Sequence, residues 1–145
     1  MKIGIDALFR PASAEAGEND LSVLPPGKPT MMIYALERDT QALAPVIKPL
    51  SRRFFRHKLV FVISALDFRP FMAEKAVFEV LPALDQIAAF PDLVNWPGYL
   101  EDRRALLVAK WAPRRAISYG MAFQDYVAAS AQFAADRGAP RQAAV

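Results

Sequence analysis

The chain has no cysteine and a single histidine, His57, among its 145 residues. Without thiols, disulfides, thiolate nucleophiles and cysteine-ligated metals are excluded. One imidazole excludes paired-histidine metal motifs and argues against a His-based triad, so neither a metal nor another cofactor is expected. Glycine is scarce as well, at 6 residues, and it builds no phosphate-cradling loop. No Gly-x-Gly-x-x-Gly follows a strand pattern, and there is no P-loop or Gly-x-Ser-x-Gly elbow. NAD enzymes, P-loop kinases and α/β-hydrolases are thereby set aside. No apolar run approaches the ~18 residues of a membrane span, and Asp6 and Arg10 interrupt any signal-peptide core. The cytoplasm is the expected compartment. Positive charge exceeds negative only slightly, 18 Lys plus Arg against 15 Asp plus Glu, too little to imply a nucleic-acid partner.

The sequence is rich instead in apolar residues, 54% with 11% aromatic, enough for one globular domain spanning residues 1–145. Its organising stretch is residues 58–67, Lys-Leu-Val-Phe-Val-Ile-Ser-Ala-Leu-Asp. The run from Leu59 to Ile63 is continuously apolar, β-branched and aromatic. It is too short for a typical helix and reads as a strand buried on both faces.

Around it the chain alternates. Ile3 and Ile5 mark a short first strand, and residues 11–29, with Pro25-Pro26-Gly27, read as a loop. Residues 30–35 form the next strand. A helix follows, with Leu43, Val46, Ile47, Leu50 and Phe54 on one face. Asp39 or Thr40 is suited to cap it, although Pro45 suggests a start near Ala44 and Pro49 a bend one turn later. Its other face carries Lys48, Arg52, Arg53 and Arg56 and runs into His57 and Lys58, most simply a solvated helix face. Residues 67–74 read as a connector and 76–81 as a strand interrupted by Glu79. A short helix starts at Pro82. Residues 98–111 form a helix with Leu100, Leu107, Val108 and Trp111 in one stripe. Arg104 projects from that stripe, suited to snorkel or to pair with a carboxylate such as Glu79. Residues 115–120 make a last strand and 121–136 an amphipathic helix, and residues 137–145 are expected to fray. This alternation predicts a Rossmann-like three-layer α/β/α fold with a mostly parallel sheet of four to five strands.

Chemistry is expected where parallel strands deliver their following loops, at the C-terminal edge of the sheet. Glu37, Arg38 and Asp39 follow one strand, Ser64, Asp67 and Arg69 the next, and Tyr119 with Gly120 the last. Asp39 or Asp67 is placed to act as a general base toward a hydroxyl. Arg38 and Arg69 are suited to an anionic or sugar-like ligand, with Glu37, Ser64, Tyr119 and Gly120 completing the expected site. The plainer role of each is to cap a helix or close a turn. Trp96 and Trp111 do not interleave with the basic cluster, so single-stranded nucleic acid is not expected.

The order of segments resembles the N-terminal half of a GT-B glycosyltransferase. Met-Lys-Ile-Gly-Ile-Asp-Ala at the start looks like a first strand of that family. Gln-Ala-Leu-Ala-Pro-Val-Ile-Lys-Pro-Leu from Gln41, then Lys-Leu-Val-Phe-Val-Ile-Ser from Lys58, resembles its helix leading into a second strand. The segment from Leu106 through Trp111 and Pro113 to Gly120 is similar to a later helix, Pro turn and short strand. Pro-Ala-Ser-Ala-Glu-Ala-Gly from Pro11 stands where the family has a Gly-rich loop. The resemblance implies an acceptor-side domain for hexosyl transfer from a nucleotide sugar, needing a second donor-binding domain or partner chain. A domain of that kind should keep an apolar docking patch and be dimeric or sticky. A non-catalytic protein-interaction module and a small-molecule-binding domain remain as alternatives.

Overall fold

A computed structural model describes residues 27–138 of the chain. The strand expected around Ile3 and Ile5, most of the 11–29 loop and the end of the 137–145 tail lie outside the described residues. The elements are β1 (Thr30–Ala35), α1 (Thr40–Arg53), β2 (Lys58–Ile63), α2 (Arg69–Ala73), β3 (Val77–Val80), α3 (Leu84–Ala89), α4 (Trp96–Trp111), β4 (Arg115–Ser118) and α5 (Phe123–Gly138). The four strands form one sheet in the order β3-β2-β1-β4. All three pairings are parallel, with Ile33 opposite Phe61 and Ile117, and Phe61 opposite Phe78. The fold is therefore the expected Rossmann-like α/β/α arrangement, with Leu59 to Ile63 interior to the sheet.

Side-chain alternation along the strands sorts the core into two layers. Met31, Ile33 and Ala35 of β1 face one side together with Phe61, Ile63 and Ile117, and meet Leu43 and Ile47 of α1 and Phe71 of α2. Met32, Tyr34 and Leu36 face the other side with Val62 and Ala116. They meet Ile87 of α3, Leu100 and Leu107 of α4, and Phe123 and Tyr126 of α5. Every residue from Met31 to Leu36 is essentially inaccessible to water. Each large side chain so buried contributes about 1.5–3 kcal/mol. Beneath α2 the Phe71 ring packs 5.6 Å from both Phe61 and Phe78, and Phe68 stacks on Phe78 at 5.1 Å.

Three local features differ from the expectation. Helix α1 starts at Thr40 rather than near Ala44, because the Asp39 carboxylate accepts the Ala42 N–H at 2.7 Å and fixes the first turn there. Pro45 and Pro49 both lie inside the helix, on its exposed face. The 67–74 connector contains the one-turn helix α2, which has a proline in its first turn. Arg104 pairs with Glu101 at 2.8 Å and lies 4.9 Å above the Phe123 ring. Glu79, on the α4 side of β3, instead accepts Lys110 Nζ at 2.5 Å and the Trp111 indole N–H at 2.8 Å. Burial alone would push the Glu79 carboxyl up. The hydrogen bonds from Lys110 and Trp111, with the lysine charge, outweigh it and hold the group below its ordinary value.

No helix among the described residues is long and apolar enough to cross a membrane.

Candidate functional site

In this strand order the chain leaves β1 toward β2 on one side and returns beside it, on the other, as β4. The reversal between β1 and β4 is where an open α/β sheet normally parts its loops. Here that gap is narrow. Beyond the paired strands the backbone continues as an antiparallel bridge between Leu36 and Met121, whose N–H donates to the Leu36 carbonyl at 3.0 Å. Gly120 makes the approach feasible. It sits at φ +141°, and a Cβ there would lie 2.6 Å from the Leu36 carbonyl oxygen and 2.9 Å from Arg38 Cγ. The Arg38 guanidinium lies 5.4 Å above the centre of the Tyr119 ring, so Arg38, Tyr119 and Gly120 form one group.

Glu37 and Ser64 form a second. Glu37 holds a left-handed backbone, φ 57°, uncommon for a residue with a side chain. Its N–H donates to Ser64 Oγ at 2.9 Å, and the Ser64 hydroxyl donates back to Glu37 Oε1 at 3.1 Å. The same carboxylate oxygen accepts the Leu84 N–H at 3.0 Å, at the head of α3. Ser64 is only 4% exposed. Behind them the Tyr126 hydroxyl donates to the Pro82 carbonyl. Burial first, and then the Glu37 charge, push that phenol far above its usual range.

Asp67 and Arg69 close on each other. Arg69 donates Nε to Oδ1 at 2.9 Å, a terminal nitrogen to Oδ2 at 2.8 Å, and its backbone N–H to Oδ1 at 3.1 Å. These bonds hold the Asp67 carboxyl down to about 2. A carboxylate so stabilised is a weak proton acceptor. The Arg69 side chain is 88% exposed. Asp39 caps α1, and Thr40 Oγ1 donates to the Asp67 carbonyl at 3.0 Å, tying the two loops together. The eight expected residues thus share one edge of the sheet, in three hydrogen-bonded or stacked groups and a cap.

An apolar rim surrounds the same edge. Leu66 follows β2, and Phe90, Leu93, Val94 and Tyr99 occupy the link between α3 and α4 and the first turn of α4. Leu66, Phe90 and Leu93 are each more than 60% exposed.

At the opposite edge, where the strands begin, lies a cavity of about 320 Å³. It sits between the end of α1 (Ser51, Phe55), the starts of β2 and β3, and the residues closing α2. Lys28, His57 and Lys75 stand in its wall. Sequence reading missed it. The basic run from Arg52 to Lys58 was a visible signal, but Lys28 and Lys75 reach the same place only through the fold. Among the described residues no cluster of His, Cys, Asp or Glu is suited to hold a metal ion.

Comparison with protein-family models, with curated proteins and with solved structures finds no significant match.

Proposed function

We propose that this chain is an acceptor-side, glycosyltransferase-like domain. It presents the C-terminal edge of its sheet to a sugar or other hydroxyl-bearing ligand, and to a donor-binding domain or partner chain that carries the nucleotide sugar. The observation that carries this reading is the strand order β3-β2-β1-β4, which collects Glu37, Arg38, Ser64 and Tyr119 from three separate loops at one edge. The apolar rim from Phe90 to Tyr99 supports the docking of a second body there.

In the reaction so envisaged, the acceptor oxygen attacks the anomeric carbon and the nucleoside diphosphate leaves with the bonding pair. A carboxylate takes the acceptor proton. Asp39 suits that role better than Asp67. One Asp39 oxygen serves the helix cap, whereas Asp67 engages Arg69 through both of its oxygens. The rim alone also favours a second reading, a protein-interaction module without catalysis.

The test is a titration of the 15N-labelled chain with a panel of mono- and disaccharides and, separately, with nucleotide sugars. Saccharides should shift the amide signals of Glu37, Arg38, Ser64 and Gly120, and Arg38→Ala should weaken the response about tenfold, as expected for losing a hydrogen bond to a charged group. Nucleotide sugars binding at that edge of the isolated chain would overturn the acceptor-side assignment. A protein that ignores every saccharide yet self-associates through Phe90 and Leu93 would establish the interaction module instead.

A further inference from the structure

The cavity where the strands begin is independent of that proposal, and its wall is predominantly basic, with Lys28, His57, Lys58 and Lys75 against Glu74. Lys28 is brought there because the Pro29 carbonyl accepts the Lys58 N–H at 2.9 Å, which pins the chain entering β1 beside the start of β2. Lys75 arrives from the other side, at the turn that closes α2. Among the described residues neither lysine pairs with a carboxylate, and Glu74, the acidic member of the wall, forms no ion pair either. The Lys58 ammonium is turned away, 4.7 Å above the Trp111 ring. Arg52, Arg53 and Arg56 surround the end of α1 and add to a positive field, against which Glu74 is the one acid in the cavity wall.

Two details of the wall are costly for a merely structural surface. Lys75 has φ 52°, the left-handed region that glycine occupies freely. A helix end accounts for that backbone conformation but not for choosing lysine over glycine. In addition, His57 Nδ1 is buried without a hydrogen-bond partner, and orphaned buried polar atoms are uncommon enough to call for a reason. The floor is apolar, formed by the half-buried Leu59, Ala76 and Val77, with the core ring of Phe61 beneath them. A volume near 320 Å³ is at the small end of ligand pockets.

We infer that this cavity is a binding site for a phosphomonoester, with the phosphate held between Lys28 and Lys75 and a small organic body lying on Leu59 and Val77. A compact dianion answers two unpaired ammonium groups, and the apolar floor gives the remainder of the ligand a surface to cover. The same chemistry is offered by a soluble sugar or glycerol phosphate and by the headgroup of phosphatidic acid. Phe55, 62% exposed at the cavity mouth among arginines, is compatible with either source.

The experiment titrates the full chain with glycerol 3-phosphate, followed by calorimetry and by amide shifts of Lys75, Ala76 and Val77. In parallel it measures co-sedimentation with phosphatidylcholine vesicles with and without phosphatidic acid. Binding of the soluble ester with no vesicle preference identifies a free metabolite, and retention only on phosphatidic acid vesicles identifies a lipid headgroup. Both support the site. Lys75→Gly should reduce either response at least tenfold while leaving the melting temperature unchanged or higher, and Lys75→Gln should reduce it by a similar factor. Lys48→Ala, away from the cavity wall, should leave it unchanged. Absence of binding to both probes at millimolar phosphate, or binding indifferent to Lys28→Ala and both Lys75 variants, would overturn the assignment.

Discussion

Glu37 and Ser64 exchange two hydrogen bonds across 27 residues of sequence: the Glu37 N–H donates to the serine oxygen, and the serine hydroxyl donates to the Glu37 carboxylate. The pair joins the loops that follow β1 and β2 and holds Glu37 in its left-handed conformation. Ser64→Ala removes both bonds and leaves a partly buried N–H without its acceptor. It should lower unfolding free energy by about 1–3 kcal/mol. Combined with Glu37→Gln in a double-mutant cycle, a coupling of at least about 0.5 kcal/mol is expected. Urea unfolding reads both values, and a serine variant within experimental error of the parent would show the pair to be dispensable.

Gly120→Ala should be more damaging than its size suggests. The added methyl meets a backbone oxygen at 2.6 Å, which cannot swing aside, and the residue must keep a φ of +141°. Backbone strain of this kind costs about 1–3 kcal/mol, and the steric overlap adds to it. Hydrogen exchange locates the effect. The Met121 amide, bonded to Leu36, should lose protection first. A variant with unchanged stability and unchanged Met121 protection would mean that β1 and β4 do not depend on this close approach.

Much of this edge was legible in the sequence. The apolar runs gave the strands, and because parallel strands deliver their loops to one side, the polar residues after each run could be assigned to a common edge. Which residues would bond to which was not legible. The Glu37–Ser64 exchange depends on a left-handed turn at a glutamate, a conformation that sequence statistics assign to glycine or asparagine. That Arg104 would snorkel or meet a carboxylate was legible, but not which carboxylate: the helix offers it Glu101 three residues away, at lower entropic cost than Glu79. At the start of α1 the sequence offers two signals, a cap at Asp39 and a proline-set start near Ala44, and the Asp39 hydrogen bond to the Ala42 N–H decides between them. The cavity at the opposite edge was hidden because Lys28 and Lys75 are far apart in sequence and neither sits in a motif.

Asp67→Asn separates structure from proton chemistry. Its carboxylate is held near a pKa of about 2 by Arg69, a depressed value. The associated stability is therefore present above the unfolded value near 3.8 and lost as pH falls toward 2. At neutral pH the exposed pair contributes little, so the variant should melt close to the parent at pH 7. Carbon-13 NMR of the side-chain carboxyls should show the Asp67 resonance titrating near 2 in the parent and absent in the variant. A parent titration near 4 would mean that the pair is not held in solution.

His57 should give the fold an acid sensitivity in a range where little else titrates. Burial, followed by the charges of Arg115 and Arg114, pushes its pKa below 6.5. Phe54 meets its ring edge-on with centroids 6.3 Å apart, and no carboxylate among the described residues pairs with it. The folded protein therefore disfavours the imidazolium relative to the unfolded chain. For a depressed pKa the contribution is complete above the unfolded value near 6.5 and declines as pH falls toward the folded one. It is the only histidine in the chain, so no second imidazole blurs the window between about pH 5 and 7, where an unperturbed carboxylate is already ionised. Melting temperature should fall on going from pH 7.5 to 5.5, and His57→Gln, which cannot charge, should flatten that slope without reproducing the loss at pH 5.5. A parent protein with level stability across this interval, or a glutamine variant with an unchanged slope, would place the His57 ring in solvent rather than against Phe54 and the arginines at the start of β4.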